Sequence, residues 1–109
     1  MNTHPPVQIL GGDIFIHDIH LYDENDALID ISLHTFTVKM RTKREGDIIA
    51  AAVMTAAPAA LGVVRITMTA AATTNLAASY DRGIYALRDD TLQLTLLTAE
   101  ALIEKGVAS

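Results

Sequence analysis

Apolar and polar residues alternate with a period of two in three separate stretches, and that alternation restricts the chain to strands with one dry and one wet face. Phe36, Val38 and Met40 share one parity, with Lys39, Arg41 and Lys43 on the other. Phe15, His17, Ile19 and Leu21 stand against Ile16, Asp18, His20 and Tyr22, and Val64, Ile66 and Met68 stand against Arg65, Thr67 and Thr69. A helix would scatter each set around its circumference, whereas a strand gathers it on one side.

Turn chemistry separates these strands. Asp23-Glu24-Asn25-Asp26 follows the first, Glu45-Gly46-Asp47 the basic one, and Ala60-Leu61-Gly62 precedes Val63. Residues 47–55, with Ile48, Ile49 and Val53, are expected to return antiparallel to 35–43, although Ala50, Ala51 and Ala52 dilute their strand preference. Thr69 followed by Ala70, Ala71 and Ala72 offers an N-cap and the best helix former, which predicts a short helical crossover over 69–76. Residues 84–88 and 92–97 read as a hairpin around Asp89-Asp90-Thr91, with Leu92, Leu94 and Leu96 toward the core.

At the two ends the rules are less concordant. In 98–106, Thr98, Glu100, Leu102, Ile103, Lys105 and Gly106 fit a capped short helix. The opening residues, with Pro5-Pro6, read as an arm that orders against a neighbour, so the expected organisation is an N-terminal arm over 1–10 and a single domain over 11–109. A chain of 109 residues is too short for two self-sufficient cores. Strands recurring every 8 to 12 residues or so indicate a β-sandwich.

Composition narrows the function classes. The chain has no cysteine, which removes disulfides, thiolate metal sites and cysteine nucleophiles together. Aromatics make up 5% of it, so the core must be aliphatic. A formal charge of −5 gives no electrostatic footprint for wrapping nucleic acid or docking on anionic lipid. No apolar run approaches the roughly 20 residues of a transmembrane helix, and the N-terminus lacks the basic and apolar regions of a signal peptide. Neither membrane insertion nor signal-directed secretion is therefore expected.

The segments TFTVKMRTKREGDIIAAAVMT, GVVRITMTAAATTNLA and GIYALRDDTLQLTLLT, in that order and spacing, resemble a group of small phage tail proteins. These are similar to the immunoglobulin-like N-terminal domain of phage baseplate upper proteins, and the similarity spans about residues 11–107. It rests on core-face alternation and turn glycines in order, not on any signature residue. The resemblance implies an all-β, immunoglobulin-like antiparallel sandwich of about seven strands with one short helical crossover. It also implies that 98–105 form a last strand with a bulge near Ala99, against the local preference for helix. The chain departs from the group at His17, where an aliphatic residue is expected, and at Ala52, where a bulky one is.

Residues that could carry chemistry are few. His4, His17, His20 and His34 invite a metal reading, but His17 and His20 lie on opposite faces of one strand. Asp23, Asn25 and Asp26 begin like a calcium loop, yet Ala27 and Leu28 occupy the positions that want a ligand and a glycine. Ser32 and Ser79 lack a nucleophile elbow, and Gly11-Gly12 lacks the lysine and helix of a phosphate loop. Asp89 and Asp90 are adjacent, so their side chains diverge, and a hairpin tip explains them. No catalytic residue, metal or cofactor is expected.

What remains is a basic strand face, Lys39, Arg41 and Lys43, which follows 38 residues holding six acids and no Lys or Arg. It is either a solvated face that protects a sheet from edge-to-edge aggregation or a partner-contact face for an acidic surface, such as that of residues 13–30 on a neighbouring copy. Together with the resemblance, this predicts a structural component of a bacteriophage virion, in the tail, baseplate or fibre attachment, assembled in the host cytoplasm. Its partners would be other virion proteins or further copies in a symmetric assembly. Capsid decoration, a head fibre and a carbohydrate-binding module are the alternatives, and the last is poor in the aromatics that glycan platforms use.

Overall fold

The structure, a computed structural model, describes residues 3–43 and 46–105, with the side chains of 3–5 outside that set. Arg44 of the basic run, Glu45 of its turn, the first two residues of the expected arm, Gly106 of the alternative helix and the His4 side chain lie outside the described residues. Among the described residues seven strands and one helix follow in chain order: β1 Thr3–Gly11, β2 Phe15–His20, β3 Phe36–Arg41, β4 Thr55–Ala60, β5 Val63–Met68, α1 Ala70–Ser79, β6 Arg82–Asp89 and β7 Leu94–Lys105. They form two sheets, ordered β1-β7-β6-β3 and β2-β5-β4. The architecture is that of an immunoglobulin-like sandwich, with the first strand carried on the sheet of the last.

Alternation decides the layers. Val38 and Met40 from β3, Tyr85 and Leu87 from β6, and Ile9 from β1 meet Phe15, Val64, Ile66 and Met68 of the facing sheet, all buried. Leu97, Ala99, Ala101 and Ile103 of β7 join them at period two. The residues between, such as Lys39, Arg41, Arg65 and Arg88, are exposed. The β2 register pairs Phe15 with Met68 and His20 with Val63, so all three expected strands form with the expected faces.

The crossover is a helix of ten residues, capped by Thr69, whose hydroxyl accepts from the Ala72 amide. It extends three residues beyond the expected span, and Leu76 and Ala77 bury its second half against the sandwich. A Cβ on Gly11 would lie 2.7 Å from the Ala77 Cβ, so glycine lets α1 approach β1.

Four expectations need correction. The segment read as an arm is an edge strand, lying parallel to β7 of its own chain from Thr3↔Thr98 to Gly11↔Lys105. The register shifts between His4 and Val7, where two prolines supply no backbone N–H. Residues 47–54 form no strand: after the Arg41↔Ile48 bridge and the Ile49 amide bonding to the Met40 carbonyl, the chain leaves β3 and crosses to the other sheet. The strand begins only at Thr55, as β4, and pairs with β5 instead of β3.

Leu92 and Leu94 are exposed and Leu96 is only half-buried, while Leu97 fills the core. A bulge causes this, since Leu87 faces Leu97 but Arg88 faces Thr95, leaving Leu96 as the extra residue. The extra residue of β7 thus falls three residues before Ala99, whereas opposite Ala99–Ala101 the register shift is carried by β1, and 98–105 run extended as the resemblance implies.

Candidate interaction face

The outer face of the four-stranded sheet is built from the solvent parities of β3 and β6. Lys39 is paired with Ala86, Thr37 with Arg88 and Arg41 with Ile84. Because Ala86 is small and its neighbours are long, the face sinks there into a depression of about 350 Å³. Thr37, Lys39, Arg41, Ala86, Arg88, Asp90 and Thr95 line it.

Its cations are partly ordered. An Nη of Arg41 donates to the Gly46 carbonyl at 2.9 Å, which holds the guanidinium over the start of the β3–β4 loop. Arg88 Nε lies 3.5 Å from Asp90 Oδ1, and Asp90 also accepts from the Thr37 hydroxyl. Lys39 has no carboxylate partner among the described residues. The structure therefore brings Lys39 and Arg41 together and places Lys43, also exposed, beyond the end of β3 and outside the depression.

Arg88, Thr37 and Thr95 belong to this face as well, beyond the residues that sequence reasoning assigns to it. Thr37 shares the parity of Lys39 and is legible on that ground. Arg88 becomes a neighbour only through the β3–β6 register, which no local pattern specifies.

The other polar groups of note are engaged within the fold. Asp89 is fully buried: its Oδ1 accepts from the amides of Thr91 and Leu92, and its Oδ2 lies 2.7 Å from His34 Nδ1. Asp90, by contrast, points outward, so the two carboxylates diverge. His17 Nδ1 contacts the Tyr85 hydroxyl at 2.7 Å, edge-on to Phe15. A histidine fits this inward position because it completes the one fully buried phenol. Burial pushes that phenol above its ordinary value of 10.0.

On the other sheet Arg65 grips Asp18 through two nitrogens, at 2.8 and 3.0 Å, and this holds the Asp18 carboxyl below its ordinary range. Asp23 Oδ1 caps its own turn by accepting from the amides of Asn25 and Ala27. Among the described residues no three His, Asp or Glu side chains are grouped to hold a metal ion. No helix there is long and apolar enough to cross a membrane.

The loop end of the sandwich carries exposed leucines: Leu33 is 92% exposed, Leu92 55% and Leu94 54%. The loops that hold Leu33 and Leu92 are tied together, as the Thr35 amide donates to the Thr91 hydroxyl and the Asp90 amide to the Thr35 carbonyl.

Fold and face together define an immunoglobulin-like β-sandwich with a basic sheet surface and an apolar loop end. No protein-family model matches the sequence, and comparison with curated proteins finds no match.

Proposed function

We propose that this chain is a structural component of a bacteriophage virion, a tail, baseplate or tail-fibre attachment protein that acts through protein–protein contacts. The phage assignment rests on the order and spacing of the three segments that resemble small phage tail proteins. The observation that carries the assembly role is the loop end, where Leu33 and Leu92 stand in solvent on loops cross-linked by hydrogen bonds and Leu94 is exposed at the start of β7. Exposed leucines at one end of a sandwich favour burial against a partner.

Each copy also offers the basic face centred on Lys39 and Arg41, which favours partners of opposite sign and fixes the orientation of docking. Affinity in such an assembly comes from repetition of modest contacts in a symmetric array.

The test is quantitative mass spectrometry of purified particles, with heads and tails separated. Recovery in the tail fraction, in a small whole-number ratio to the tail proteins, is the expected result. Recovery with heads at high copy would make the chain a capsid decoration or head-fibre protein, and absence from particles would overturn the virion reading.

A further inference from the structure

We propose that the depression between β3 and β6 is a docking groove for the acidic turn at residues 23–26 of a second copy of this chain. The contact rests on the assembly reading above and gives it a chemistry.

Charge is sorted along the molecule. The loop joining β2 to β3 holds Asp23, Glu24, Asp26 and Asp30 and no Lys or Arg. Its tip is a preformed turn: Asp23 Oδ1 accepts from two amides, the Asp26 amide donates to the Asp23 carbonyl, and Asp26 sits at φ 62°. Asp23 is thus turned onto its own backbone, and Asp30 likewise onto Ser32. Glu24 and Asp26 are left exposed, with no cationic partner among the described residues.

The groove has the complementary form. Lys39, Arg41 and Arg88 surround an alanine floor, and Asp90 is the one carboxylate among the lining residues. Three cations against one acid leave an excess of two positive charges, matched by the two carboxylates of the turn. The Arg41 guanidinium and the backbone of the turn are ordered before they meet, by the Arg41–Gly46 bond on one side and the Asp23 cap on the other, so docking has only the Lys39, Glu24 and Asp26 side chains left to fix. Groove and turn occupy different places on every copy. The contact therefore either closes reciprocally in a pair or runs from copy to copy into a ring or filament.

The sign of the salt effect separates this contact from general stickiness. A chain of net charge −5 repels its copies, so apolar association strengthens when salt screens that repulsion. A groove–turn contact weakens instead.

The experiment is sedimentation of the full chain over a wide concentration range, at about 50 and about 500 mM NaCl, Debye lengths of roughly 14 and 4 Å. The expected result is association that weakens with salt. The double variants K39E/R41E and E24K/D26N should each weaken it by about tenfold or more while leaving the circular dichroism spectrum and melting intact. The aspartate is changed to Asn because that residue tolerates the positive φ. A chain carrying all four changes should regain part of the association, since the cation that E24K places on the turn then meets the acidic groove of K39E/R41E and one attraction is restored with the signs exchanged.

A wild-type chain that stays monomeric throughout overturns the proposal, and so does association indifferent to both double variants or strengthened by salt. None of these outcomes touches the particle composition that tests the virion role, and absence from particles would leave the measured contact standing.

Discussion

Asp89 shows how a single side chain can fix two loops. Its carboxylate, itself without solvent exposure, accepts the Thr91 and Leu92 amides of its own turn and faces His34 of the β2–β3 loop. Asp89→Ala would strand two backbone donors and the imidazole, which costs about 2–4 kcal/mol from lost charge-assisted bonds and unsatisfied groups. The loss is to be read from the midpoint of urea unfolding. The inward position of Asp89 is legible in principle, since Tyr85, Leu87 and Asp89 share a parity. The adjacent Asp90 masks it, because two successive aspartates carry the stronger signal of a hairpin tip.

Tyr85 gives a pH signature of the opposite sign to the usual carboxylate. Burial raises its folded-state value above the ordinary 10.0, so its contribution is complete below about pH 10. It is lost as the pH rises further, because the unfolded chain releases that proton more readily than the folded one. The melting temperature of the wild-type chain should therefore fall more steeply above pH 10 or so than that of Tyr85→Phe, with the difference between the two curves isolating this group. Tyr85→Phe also removes the hydroxyl beside His17 and should start about 1 kcal/mol less stable at neutral pH. Parallel curves would show that the phenol ionises in the fold as freely as in water.

At the scale of elements, the legible parts are those where one local rule stands unopposed. The period-two faces of β2, β3 and β5 are of this kind, as is the cap of α1. Thr69→Ala should lower stability by about 1 kcal/mol, the ordinary worth of an N-cap, seen as a drop of several degrees in thermal melting. β4 is illegible because its sequence, Thr-Ala-Ala-Pro-Ala-Ala, carries no strand preference, and its pairing to β5 makes it extended. β7 is the reverse case. Its helix-like caps and charges are overridden by the alternation of Leu97, Ala99, Ala101 and Ile103, which only a strand between β1 and β6 can bury together.

At the scale of the whole molecule, the first strand decides whether the sandwich is complete. β1 buries Ile9, pairs along β7 from Thr98 to Lys105, and through Gly11 provides the surface on which Ala77 of the helix rests. Removing residues 1–11 would uncover the Ile9 site, worth about 2–5 kcal/mol by analogy with large-to-small core changes. It would also turn a strand of twelve residues into an open edge. Against a typical total of about 5–15 kcal/mol for a domain, little would remain. A chain beginning at Gly12 should therefore show no cooperative melting transition or should associate through β7, and a synthetic peptide of residues 1–11 added in excess should restore the transition by pairing in parallel along that edge. A neighbour-binding arm would behave otherwise: the shortened chain would melt as cooperatively as the full one, and the peptide would change nothing.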